Sequence, residues 1–76
     1  MVHAFVMVKT AAGSSEGLVD TLRSGGAVTE AHIVAGEYDI IAELDVTEVY
    51  DVLDTVANQI RSLDGIGDTR TYISMQ

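Results

Sequence analysis

Hydrophobic and polar residues alternate with period two over residues 2–9, Val-His-Ala-Phe-Val-Met-Val-Lys, which predicts a β-strand. Val2, Ala4, Val6 and Val8 project to one side, and His3, Phe5, Met7 and Lys9 to the other. Apolar groups on both sides mark a strand covered on both faces, as in the centre of a sheet. Residues 10–14 form a turn. A short helix follows over residues 16–24, with Ser14 or Ser15 as N-cap, Glu16 in the first turn and Leu18, Val19 and Leu22 as its apolar stripe. Gly17 weakens this helix, and Gly25-Gly26 stop it.

Two further strands are predicted over residues 28–34 and 39–46, joined by the bend Gly36-Glu37-Tyr38-Asp39 into a hairpin. Gly36 can take φ > 0 without steric cost, and Asp39 can hydrogen-bond nearby backbone. In the second of these strands Ile40, Ala42, Leu44 and Val46 share a side, opposite Ile41, Glu43 and Asp45. Thr47 then caps a longer helix. Its apolar residues Val49, Val52, Leu53, Val56, Ile60 and Leu63 repeat as one helical face, and Gly65 stops it. Residues 69–75, Thr-Arg-Thr-Tyr-Ile-Ser-Met, are rich in β-formers and supply a last strand.

The order βαββαβ, with right-handed crossovers, puts both helices on one face of a four-stranded antiparallel sheet: an α+β, ferredoxin-like fold. The other face is left with Phe5, Met7, Ile41 and Tyr72, and with His32 and Val34 as neighbours. Such a face is covered most simply by the sheet of a second copy in an isologous dimer. The alternative is a monomer with scattered apolar surface.

Composition sharpens this picture. The 76 residues suit one domain, small enough to be marginal alone, and without cysteine no disulfide supports it. Oligomerisation is the remaining common support. Twelve acids against four bases give a net charge of −8, which repels nucleic-acid phosphates. Lys9 is the sole lysine. This acid-rich, lysine-poor balance occurs in proteins of salt-loving organisms, and also in ordinary acidic domains. No apolar run approaches the ~20 residues of a membrane span, and the N-terminus lacks a signal-peptide pattern, so a cytoplasmic protein is expected.

Candidate chemistry is sparse. His3 and His32 are the only histidines, and they read as solvated or interface groups, with no metal site or cofactor expected. Glu43 and Asp45 share a strand side without a defined partner. Arg70 is expected to pair with an acid at an interface. No serine sits in a nucleophile elbow, and no Gly-rich phosphate loop is present.

The hairpin Gly36-Glu37-Tyr38-Asp39-Ile40-Ile41, the helix ending Leu63-Asp64-Gly65-Ile66 and the closing Asp68-Thr69-Arg70-Thr71-Tyr72-Ile73 together resemble the effector (RAM) domain of Lrp/AsnC transcriptional regulators, over essentially residues 1–76. The resemblance implies sheet-to-sheet dimers, often assembled into rings. It also implies a small effector, usually an amino acid, held between dimers near the hairpin bend. By position it implicates Gly36, Tyr38, Asp39, Thr69 and Thr71 in ligand binding. Asp39 would either pair with an α-ammonium group or only fix the bend. Tyr38 would line the pocket or pack at the dimer edge, and the threonines would face the effector or serve as ordinary strand residues. With Met1 opening directly into the first strand, no helix-turn-helix domain is expected. The resemblance then implies a non-enzymatic sensor that acts alone or with full-length Lrp/AsnC relatives. A dimeric α+β barrel monooxygenase shares this topology and size. It would need a roomy polar pocket between sheet and helices, where this chain places Val, Ala, Ile and Leu.

Overall fold

In the computed structural model, which describes residues 1–75, the first apolar alternation becomes strand β1 (Val2–Thr10) at an inner position of a four-stranded sheet. Strand β3 (Ile40–Val46) lies on one side of it and β4 (Ile66–Ile73) on the other, with β2 (Val28–Ile33) outside β3. All neighbours are antiparallel, and the sheet order β2-β3-β1-β4 is that of the ferredoxin-like fold. Helix α1 (Ser15–Arg23) and helix α2 (Val49–Thr55) close one face. The register sets Val6 opposite Ala42 and Thr71, and His3 opposite Asp45.

The core lies between this face and the helices. Ala4, Val6, Val8, Ile40, Ala42 and Leu44 have no exposed surface. They meet Leu18, Val19 and Leu22 of α1, and Val52 and Val56 from the second helical segment. Ile60, the last fully buried member, sits in a π-helical turn (Val56–Ile60) that continues α2, where Arg61 N–H donates to the Val56 carbonyl at 2.9 Å, five residues back.

Several local expectations change. The buried stripe of α2 is narrower than the sequence pattern. It runs through Val52, Thr55, Val56 and Ile60, and leaves Val49 and Leu53 about half exposed on the flank. Periodicity marks every apolar position on that side, but only the ones over the sheet find partners. Glu48, not Thr47, is the N-cap: its extended backbone starts the helix, and its N–H donates to Asp51 Oδ2 at 3.1 Å. Ser14 caps α1 by position without a side-chain bond, while Ser15 Oγ lies 2.8 Å from Thr10 Oγ1.

Strand β4 starts at Ile66, ahead of the predicted residue 69, because a bulge after Val8 lets Ile66 pair with Thr10. Ala11 N–H bonds the Gly65 carbonyl at 2.8 Å and locks the same corner. Gly65 has φ +90°, and a side-chain carbon there would lie 3.3 Å from Ser14 and Leu18. Glycine is therefore required on both conformational and steric grounds. Gly36 is not in the positive-φ region, in contrast to the sequence expectation. The reason is that the hairpin link spans residues 34–39. A connection of this length reverses the chain without a tight turn, and Val34 N–H to the Asp39 carbonyl closes it at 2.9 Å.

Candidate functional site

The face without helices carries the alternate residues of every strand. Its middle is apolar: Phe5 is 36% exposed and Tyr72 60%. Met7 and Ile41 sit opposite each other between β1 and β3 and are partly covered. Two distinct groupings occupy its ends.

At the end near Thr10, residues 34–38 fold over the sheet and enclose an open cavity of about 360 Å³ lined by Met7, Val34, Ala35, Gly36, Glu37, Tyr38, Ile41 and Tyr72. This is the lower part of the range for small-ligand sites. Its floor is apolar because open-face positions of β1, β3 and β4 meet there. The loop is pinned from behind by Asp39, whose backbone N–H donates to the Val8 carbonyl at 2.9 Å and whose carboxylate Oδ2 accepts the Thr10 N–H at 2.8 Å. Through Oδ2 the carboxylate fixes the bend. On the outer side, Arg70 Nε donates to the Tyr38 hydroxyl at 3.2 Å, and Lys9 Nζ lies 5.8 Å from the Tyr38 ring centroid. Tyr38 and the neighbouring Asp68 and Tyr72 hold the Arg70 pKa above its ordinary value, so it is cationic at every relevant pH.

Of the residues singled out in the sequence, Gly36 and Tyr38 line the cavity and Asp39 supports it. Thr69 and Thr71 do not meet it within one chain. They pair with Val8 and Val6, whose side chains face the helices, so both threonines belong to the opposite face. Lys9, Glu37 and Arg70 were missed as cavity neighbours. Within one chain Arg70 bonds a tyrosine hydroxyl, because the register places it on the same side as Tyr72, beside the loop.

The other end of the face is polar. His3 Nδ1 lies 2.7 Å from Asp45 Oδ1, and its Nε2 lies 3.0 Å from Glu43 Oε1. Glu43 and Asp45, which show no partner in the linear sequence, thus hold one imidazole between them. Both contacts are donor bonds only when the ring is protonated. The hydrogen bond to Asp45, followed by that to Glu43, raises the His3 pKa above 6.5. Across the sheet, His32 Nε2 lies 3.1 Å from Glu30 Oε1. Glu30, His32 and Glu43 bring one potential ligand atom each within 4.8 Å of the others, the spacing a cation would need, though each acid is already engaged by a histidine.

The doubly bonded imidazole of His3 makes stability depend on pH. Its folded-state pKa lies above the unfolded one, so its contribution to stability is complete below about pH 6.5 and is lost as pH rises through the folded value. Thermal melts from pH 5.5 to 8.5 should show wild type losing an advantage over His3→Gln as pH rises. A constant difference between the two proteins would contradict the protonated bridge.

No helix among the described residues is long and apolar enough to cross a membrane. A model of the Lrp/AsnC ligand-binding domain matches residues 3–76. No curated protein matches the sequence. Among solved structures, hypothetical protein PHS023 from Pyrococcus horikoshii is 33% identical, with a TM-score of 0.93 over 100% of this chain and 92% of its own. AsnC from E. coli is 26% identical with a TM-score of 0.91; the match covers 99% of this chain but 51% of AsnC. The transcriptional regulator NMB0573 from Neisseria meningitidis, solved as a complex with L-Met, shares the fold at 18% identity, with a TM-score of 0.88 over 99% of this chain and 50% of that one. The match of family model and fold across nearly the whole length is decisive: this chain belongs to the Lrp/AsnC ligand-binding domain family.

Proposed function

We propose that this chain is a regulatory module that binds a small effector, an amino acid, in the cavity under residues 34–38, and that it assembles through its open sheet face. The observation that carries this reading is the cavity's position. It lies on the helix-free face, lined by Met7, Ile41 and Tyr72, and not between sheet and helices. The positions an internal catalytic pocket would need are filled by fully buried Ala4, Val6, Val8, Ile40, Ala42 and Leu44. That packing weighs against the monooxygenase alternative.

The partly apolar open face supports a homodimer, since face-to-face stacking would bury Phe5 and Tyr72. Higher rings of dimers would place each cavity mouth near a neighbour. Thr69 and Thr71 would reach an effector only from such a neighbouring copy. Effector binding would shift assembly by favouring the state that completes the site. The readout in a cell would be transcription, through cytoplasmic full-length relatives that carry DNA-binding domains.

Isothermal titration of the purified chain with the twenty amino acids, in low and high salt, tests the reading. At least one should bind saturably, and light scattering should show a changed particle mass on its addition. A folded protein that binds none of them would refute the sensor function.

A further inference from the structure

We propose that the polar end of the open face binds a divalent transition cation of the zinc type, with Glu30, His32 and Glu43 as ligands and His3, held by Asp45, as a further donor at the edge. The site is separate from the cavity and does not depend on the effector reading.

Strand pairing builds it. Glu30 and His32 are alternate residues of β2, so both project from the face that the helices leave open, while Ala31 between them is buried. Glu43 stands directly opposite Glu30 on β3, and His3 stands opposite Asp45 on β1. Glu30, His32 and Glu43 each bring a donor atom within 4.8 Å of the other two. His32 Nε2 is 3.1 Å from Glu30 Oε1, and His3 Nε2 is 3.0 Å from Glu43 Oε1. Metal–ligand bonds of about 2.0–2.2 Å set neighbouring donors about 3–3.5 Å apart, so each of these contacts already has the spacing of two ligands around one ion. Chain order hides this set, because the two histidines are remote from each other in sequence.

Two further observations point to a cation. The first is charge. Carboxylates facing each other across antiparallel strands repel, as Glu30 and Glu43 do here. Among the described residues no lysine or arginine forms an ion pair with Glu30, Glu43 or Asp45; only the two imidazoles do. A bound dication would relieve that repulsion. The second is the tie between His3 Nδ1 and Asp45 Oδ1, at 2.7 Å. A carboxylate that accepts the Nδ1 proton fixes the tautomer and turns the Nε2 lone pair outward, which is how imidazole ligands of metals are oriented. That lone pair faces the Glu43 carboxylate, one acceptor opposite another, and a metal ion can take the place of a proton between them. Imidazole nitrogen mixed with carboxylate oxygen, without thiolate, suits Zn²⁺ and disfavours Mg²⁺ and Ca²⁺, which prefer oxygen alone.

The test uses the untagged full chain, stripped of metal with EDTA and titrated with Zn²⁺ by calorimetry and by NMR of the imidazole rings. His3 and His32 are the only histidines, so each ring gives its own signal. Zn²⁺ should bind saturably, with one ion per chain and both ring signals shifting together, and Mg²⁺ should leave them unmoved. His32→Gln should remove the saturable binding. Asp45→Asn should weaken it about tenfold. Asp20→Asn, on α1, should bind as wild type does. The side chains of Glu30 and His32 are more than half exposed, so substitution there leaves the fold intact, and circular dichroism checks this. A folded chain that takes up no Zn²⁺, binding that survives His32→Gln, or Mg²⁺ binding as tight as Zn²⁺ would overturn the site. An Asp45→Asn chain with wild-type affinity would overturn the part given to His3. Each failure would leave the cavity and its effector untouched.

Discussion

Phe5→Lys is expected to abolish the proposed open-face dimer and leave a folded monomer. Phe5 stands mid-face, opposite Glu43 on β3 and Tyr72 on β4, and it does not line the cavity. A lysine there can remain solvated in the single chain, with Glu43 across the strand pair. In a two-fold dimer the same substitution occurs twice in one interface, and each ammonium loses its water. Glu43 is already engaged by His3, and burying two further ions costs several kcal/mol, so the dissociation constant should rise by at least about a hundredfold. Sedimentation velocity over a concentration series reads this directly, and circular dichroism confirms the fold. A Phe5→Lys protein that dimerises as tightly as wild type would exclude the open face as the interface. A wild type that is monomeric throughout would leave the open face solvated and remove the proposed assembly.

Leu44→Ala should have the largest effect on folding. Leu44 is fully buried, set in β3 opposite Ala4 and Val28, and is among the largest fully buried side chains of the core. Truncating a buried leucine to alanine removes about 2–5 kcal/mol. A domain of 76 residues has a total stability of about 4–11 kcal/mol at typical values per residue. The variant should therefore melt at least about 10 °C lower, or fail to fold at low salt, where self-repulsion of the net charge is strongest. Leu53→Ala is the informative comparison. The helical pattern places Leu53 in the same stripe as Val52 and Val56, but its side chain is 57% exposed. Its loss should shift the melting temperature by a few degrees at most. Equal effects from the two substitutions would mean that α2 packs with its other flank down.

How far the site was legible depended on the range of the interaction involved. Tyr38 and Gly36 were found through a short motif whose residues are neighbours in the chain. The His3–Glu43–Asp45 bridge was invisible because its members are 40 and 42 residues apart. Strand order alone does not reveal it: a slip of one residue between β1 and β3 would turn His3 away from both acids. The same applies to Arg70, which the β1–β4 register places beside Tyr38, 32 residues away in the chain. Thr69 and Thr71 do not meet the cavity within one chain. They sit in the right strand but on the side that alternation assigns to the helices.

Period-two and helical hydrophobic patterns suffice by themselves to determine six elements, their order and the buried members of β1, β3 and α1, because those patterns reflect which side of each element water must leave. Net charge and the Gly-x-Tyr-Asp bend are likewise properties of the chain as written. Register, the length of the 34–39 link, the narrow stripe of α2 and the meeting of Lys9, Tyr38 and Arg70 were decided only when the elements packed together. The physical reason is that these features depend on distances between residues remote in sequence. Such distances are set by the collective fit of the core, and no local preference encodes them.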